Sequence, residues 1–294
     1  MKRRTFIKQS SLTAISISAL GMIQWNGKSF VGDSPTTTDI LGPFYRPGAP
    51  MRSNIIPADS HGLPLTLKGT IFKEDGKTPL KALVEIWQCD ENEHYDNTSD
   101  NYLLRGALNT EKNGKYEFKT IIPVPYKADQ NDEASWRPAH IHMRVSVPNQ
   151  QDLITQIYFK DGKYNDTDPW AATPEAVHRT LKIEKNSAGQ DTVTFDVVMA
   201  KEFPLNNEVY KKITGIYQMD NGTAVEFSKN DDLLFMKRNG QLWAALRYVG
   251  NNTFEGGSSS PKVTFEILAK GGAKAVLTSG GKTSSGEKYL KYSE

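Results

Sequence analysis

The chain has 294 residues, with 36 Lys+Arg against 34 Asp+Glu, a formal charge of +2 and a single cysteine, Cys89. That length suits one large or two modest domains, and 12 Phe, 12 Tyr and 5 Trp supply enough apolar bulk to exclude a globally disordered chain. No dense basic patch calls for nucleic acid. One cysteine excludes an intramolecular disulfide or a thiolate-rich metal site, so any protein-held metal must use His, Tyr, Asp or Glu.

Residues 1–27 read as an address. Lys2-Arg3-Arg4-Thr5-Phe6-Ile7-Lys8 carries paired arginines, and removing its four cations takes the charge from +2 to −2. The weakly apolar, Ser-rich run from Gln9 to Ile23 has too many hydroxyls for a convincing membrane span. The segment looks like a twin-arginine export signal, which predicts a periplasmic or exported protein; an ordinary secretory signal is the alternative. No clean Ala-x-Ala cleavage site follows, which leaves an uncleaved anchor open as the one route to a membrane.

Beyond an irregular stretch with turn signals at Gly42-Pro43-Phe44 and Pro47-Gly48, period-two runs predict strands over Thr66–Phe72, Ala82–Trp87, Lys115–Ile121, His140–Val147, Leu153–Phe159 and Thr192–Val198. Thr173–Leu181, with Pro174 at its first turn, predicts a short helix. Short strands punctuated by Gly, Pro and Asn predict an all-β fold over residues 28–205, a β-sandwich or a barrel. From Gly215 the strands shorten and the turns tighten, at Asp220-Asn221-Gly222 and Arg238-Asn239-Gly240, and no histidine occurs. Residues 212–294 are therefore expected to form a separate small all-β module, joined through 202–213.

Chemistry concentrates in Trp136-Arg137-Pro138-Ala139-His140-Ile141-His142. Residues two apart in a strand share a face, so His140 and His142 can aim both imidazoles at one metal ion; two half-buried, hydrogen-bonded histidines are the bland alternative. Pro138 predicts a strand start or an edge. Tyr126, in Pro123-Val124-Pro125-Tyr126, and Tyr95, just past Trp87, could complete a hard, anionic site favouring Fe(III), since a trivalent metal can hold a phenol ionised at neutral pH. Local pattern does not force that assembly.

Ala82-Leu83-Val84-Glu85-Ile86-Trp87-Gln88, Pro123-Val124-Pro125-Tyr126 and Arg137-Pro138-Ala139-His140-Ile141-His142 together resemble the intradiol ring-cleavage dioxygenases, over about residues 41–200, with the protocatechuate 3,4-dioxygenase type as the nearest subclass. The resemblance implies a β-sandwich of mixed topology and a non-haem Fe(III) held by Tyr95, Tyr126, His140 and His142. It makes Tyr126 the ligand that substrate displaces, Arg137 the cation beside the ring and Gln156 a neighbour of substrate and oxygen. Gly42-Pro43-Phe44-Tyr45 resembles the segment lining the pocket entrance, and Tyr102 is a competing tyrosine for the place given to Tyr95. The implied reaction opens a catecholic ring with both atoms of O2 to a cis,cis-muconate-type diacid, with no organic cofactor. A homo-oligomer or a related partner subunit is implied for the protocatechuate type. The alternatives are an exported β binding protein and a zinc hydrolytic site built on His140, His142 and a carboxylate.

Overall fold

Alternation along the chain builds two facing sheets. In the first, the strands run in the order Thr180–Leu181, Leu153–Phe159, His140–Ser146, Leu83–Trp87, Arg105–Asn109. In the second, Pro64–Phe72 is central; it pairs antiparallel with Lys115–Ile121 and parallel with both Asp191–Thr194 and Val197–Val198. The odd-numbered residues Ile141, Met143 and Val145 enter the core with Val84 and Ile86, and meet Leu65, Leu67, Ile71, Phe118 and Val193 from the other sheet. Burial of each such side chain contributes about 1.5–3 kcal/mol. The period of two then leaves His140, His142 and Arg144, like Glu85 and Trp87, on the opposite face of the first sheet.

The computed structural model describes residues 35–148, 150–200, 207–230, 233–256 and 261–289, with three strand segments at Ser16–Ser18, Gly21–Trp25 and Phe30–Val31. The arginine pair at Arg3 and Arg4 and residues 202–206 of the expected connection lie outside the described residues.

Two expectations change, and one strand is added. The run Thr192–Val198 is not one strand: it breaks at Phe195 and Asp196, where the Asp196 carboxylate accepts the Thr70 N–H at 2.8 Å and the Phe195 N–H donates to Lys68 O. Gly69 permits that approach, since a Cβ there would sit 1.9 Å from Phe195 O. The helix expected over Thr173–Leu181 is a six-residue 3-10 turn, Pro174–Arg179, because Thr180 and Leu181 leave it to pair parallel with Tyr158 and Phe159. Arg105–Asn109 is a strand that its sequence, Arg-Gly-Ala-Leu-Asn, does not announce by alternation. Pro138 does precede a strand, His140–Ser146, and that strand is the central one of its sheet.

A helix, Asn207–Ile213, leads into eight antiparallel strands joined in sequence order and closed into a barrel by pairing of Gly215–Met219 with Lys282–Lys288. Its interior is filled by Tyr217, Phe227, Phe254 and Phe265 among others, and the helix seats Tyr210 and Ile213 against this core. The outer face of Leu233–Arg238 and Gln241–Gly250 packs Leu233, Phe235 and Ala245 on Leu41, Trp87 and Ile154 of the sandwich. Gln151 completes the junction as a side-chain strand mimic, donating from Nε2 to Tyr248 O at 3.2 Å and accepting the Tyr248 N–H at 2.6 Å.

Candidate metal centre

His140 and His142 project from one face of the central strand, with their Nε2 atoms 3.1 Å apart. The His140 Nδ1 lies 2.7 Å from Pro138 O. That partner calls for the ring proton on Nδ1 and leaves the Nε2 lone pair facing inward. His142 Nδ1 has no hydrogen-bond partner among the described residues. Its ring is held by stacking on Trp87, with centroids 4.8 Å apart and planes 8° apart, because the ladder register sets His142 opposite Trp87.

Two phenols converge on the same point. Tyr95 arrives on the loop after Trp87 and brings its hydroxyl 3.3 Å from His140 Nε2. Tyr126 opens a two-residue strand paired with Arg137 and faces His140, ring centroids 5.6 Å apart, and Tyr95, 5.3 Å apart. The segment before the sandwich lies over these groups. Phe44 stacks on Tyr95 at 4.4 Å. Gly42, at φ +75°, comes so close to the His142 ring that a Cβ would stand 3.0 Å from Cε1, so both the left-handed backbone and the contact select glycine there.

Burial and the nearby Arg137 guanidinium push His140 down to about 3. Burial, with His140 and Arg137 beside it, drives His142 well below its ordinary value. Both imidazoles are therefore neutral at pH 7, the state in which they ligate metals. Burial raises both phenols; Tyr126 is partly held back by Arg137. A cation placed among the four donors reverses that push on the phenols. Two inward lone pairs and two buried phenol oxygens, with no carboxylate among them, fit a hard trivalent ion such as Fe(III). The zinc alternative needs a carboxylate beside the imidazoles, and no group of three or more His, Cys, Asp and Glu side chains that could hold a metal occurs among the described residues.

Arg137 is buried and held through Nε and Nη2. Its Nε donates to Asp168 Oδ2 at 2.8 Å, and its Nη2 to Asp168 Oδ1 and the Tyr158 hydroxyl at 3.3 Å and to Gln156 Oε1 at 3.2 Å, while the Trp170 ring covers its carbon at 4.4 Å. Gln156 is fixed by the donation of its Nε2 to Ile40 O at 2.9 Å. Tyr158 reaches Asp39 Oδ2 at 3.0 Å, and Asp39 pairs with the buried Arg179. The sequence reading named Arg137 and Gln156; it missed Asp168, Tyr158, Asp39 and Arg179, whose partners are distant in sequence and carry no local motif. Tyr102 stands apart, its hydroxyl 3.3 Å from Pro47 O and its ring under Arg46. His94 is exposed, and Cys89 is buried with its thiol pushed up to about 12 by that burial.

Comparison with known proteins follows the same boundary. A family model described as Dioxygenase matches residues 40–201 and ends before the barrel. The chain is 32% identical over 185 residues to a chlorocatechol 1,2-dioxygenase of Rhodococcus opacus, covering 56% of this chain and 72% of that protein. It is 35% identical over 149 residues to catechol 1,2-dioxygenase 2 of Acinetobacter lwoffii, where it spans 54% of the relative and 45% of itself. The crystal structure of 3-chlorocatechol 1,2-dioxygenase from Rhodococcus opacus 1CP superposes with a TM-score of 0.50 at 29% identity, over 56% of this chain and 72% of that one. These names are those of 1,2-dioxygenases; the narrower protocatechuate type is not among them.

Proposed function

The chain belongs to the intradiol dioxygenase family through residues 40–201, and from that membership we propose that it is an Fe(III)-dependent enzyme that opens a catechol between its two hydroxylated carbons, using O2 and yielding a cis,cis-muconate-type diacid. The observation that carries this reading is the convergence of Tyr95, Tyr126, His140 and His142, with His140 Nε2 3.1 Å from His142 Nε2 and 3.3 Å from the Tyr95 hydroxyl.

These four side chains would hold the ion. When bound, ferric iron would supply Lewis acidity towards a catecholate and the electron withdrawal that makes the ring reactive towards O2. The protein's own groups do the rest. Tyr126, facing His140 and Tyr95, would accept the proton of one catechol hydroxyl. Burial raises the Tyr126 phenol, Arg137 lies close enough to oppose part of that rise, and the same guanidinium offsets negative charge on the bound ring. Asp168 and Trp170 keep that guanidinium from swinging away, and Gln156, anchored on Ile40, accepts from its Nη2. Phe44 covers Tyr95 and keeps water from the phenol. Export through the twin-arginine route, which carries folded proteins, is part of the same proposal: a chain that loads its metal in the cytoplasm suits that route.

The test is spectroscopic and analytical together. The iron-replete protein should be red-brown from tyrosinate-to-Fe(III) charge transfer and should consume one O2 per catechol. His140→Ala and His142→Ala should each lose both iron and turnover. Full iron stoichiometry in both variants, or a colourless active enzyme, would overturn the ligand set.

A further inference from the structure

Among the described residues, one end of the barrel is filled by the preceding helix and the other is not. The Asn207–Ile213 helix and the turns near 251 and 269 lie at the plugged end, where Tyr210 and Ile213 fill the interior. The turns at 220–223, 239–240 and 280–281 gather at the other end, around a cavity of about 540 Å³. Mouths of β-barrels are recurrent ligand sites. The floor of this one is apolar: Met219, Val225 and Met236 are buried, and Leu277 is half-buried.

The rim departs from what a filled spacer barrel requires. Trp243 stands 47% exposed. The ladder pairs Met236 with Ala244 and Lys237 with Leu242, leaving Trp243 as the extra residue of a β-bulge. A bulge re-aims a side chain that regular alternation would point elsewhere; here Trp243 joins the lining of the mouth, while Leu242 packs on the junction with the sandwich. The Arg238 guanidinium lies 5.9 Å from the Trp243 ring centroid, and Lys282 lines the same mouth. Neither cation is in a salt bridge among the described residues. The one carboxylate among the described lining residues, Asp220, accepts the Ser285 N–H at 3.0 Å and the Ser285 hydroxyl at 3.1 Å.

We propose that the open end of the barrel, between Trp243, Arg238 and Lys282, is a second binding site, for a small aromatic carboxylate. The ring lies on the Trp243 face and the methionine floor, and the carboxylate is taken by the guanidinium and the ammonium group. A neutral sugar would also stack on an exposed tryptophan, but its hydroxyls do not call for two cations. The site is independent of iron and of the ring-cleavage reaction.

Isothermal titration of the full chain with benzoate, benzyl alcohol and a neutral hexasaccharide tests it. Benzoate should bind saturably, benzyl alcohol at least tenfold more weakly, and Trp243→Ala and Arg238→Ala should each weaken benzoate at least tenfold. A carboxylated ring also fits a catechol pocket, so occupancy there is read separately, as inhibition of ring cleavage; that inhibition and the kinetics on catechol should be unchanged in both variants. No saturable benzoate binding, equal binding of benzyl alcohol, or titration curves untouched by the two variants would each overturn the proposal. Tighter binding of the hexasaccharide would overturn it in favour of a glycan surface.

Discussion

The Asp168 carboxylate grips the Arg137 guanidinium along one edge, Oδ2 2.8 Å from Nε and Oδ1 3.3 Å from Nη2, although the two residues are 31 positions apart. Burial would raise the Asp168 carboxyl, but Arg137 and the backbone N–H groups of Ala171 and Trp170 hold it below its ordinary value. The pair therefore stabilises the fold above the ordinary carboxylate range and ceases to do so as pH falls through the depressed folded value.

Asp168→Asn keeps the shape and removes the charge. Breaking a buried pair leaves an uncompensated cation, at a cost of about 3 kcal/mol, and a displaced guanidinium should slow ring cleavage by up to about 100-fold. Thermal melts and steady-state kinetics check both. Wild-type kcat in the variant would remove Asp168 from any role in holding Arg137.

Tyr126→Phe should separate metal retention from turnover. Iron is expected to stay partly bound through Tyr95, His140 and His142, with an altered visible band, while loss of the proton acceptor lowers kcat by about 10²–10⁴-fold. Iron analysis beside stopped-flow kinetics distinguishes the two effects, and unimpaired turnover would count against displacement of this residue by substrate.

Glu85 gives a pH signature of opposite sign to Asp168. Burial raises its carboxyl from 4.5 to about 7, against the pull of Arg144 and Arg105, with Asp152 adding to the rise. The folded state thus holds a proton that the unfolded chain releases, and stability should fall by on the order of 2–3 kcal/mol as pH rises from about 4.5 to 7. Glu85→Gln should flatten that slope in urea melts recorded across the range. A slope unchanged by the substitution would place the titration elsewhere.

Replacing Arg3 and Arg4 by Lys should retain the chain in the cytoplasm, because the twin-arginine route reads the pair itself rather than its charge. Fractionation with iron analysis should find the trapped form folded and ferric. Export at the wild-type level would instead mark a general secretory signal.

Much of the sandwich was legible because its strands alternate cleanly. His140 and His142 share a face for no reason beyond their spacing in His140–Ser146. Tyr95 sits on a loop and Tyr126 at the head of a two-residue strand, so no periodicity places either beside the histidines; only the resemblance to a family joined them. The grip of Asp168 on Arg137 and the Asp39–Arg179 pair join distant segments, and such contacts leave no local trace. The barrel was read only as a small all-β module, since its closing strand, Lys282-Thr-Ser-Ser-Gly-Glu-Lys, has no apolar alternation to reveal a buried face.

The two halves of the chain are threaded very differently. In the barrel nearly every pairing joins successive hairpins. In the sandwich, Pro64–Phe72 finds its parallel partners only at 191–198, and the Thr36 N–H donates to Val198 O at 2.8 Å. Closing loops of that length is entropically costly and slows the search for native contacts. A nascent chain leaving the ribosome must therefore expose well over a hundred residues before the sandwich can close, its edges open to mispairing meanwhile. The barrel that follows can zip up from its own hairpins, so refolding should show a fast phase from the C-terminal strands and a slow one from the body that carries the metal ligands.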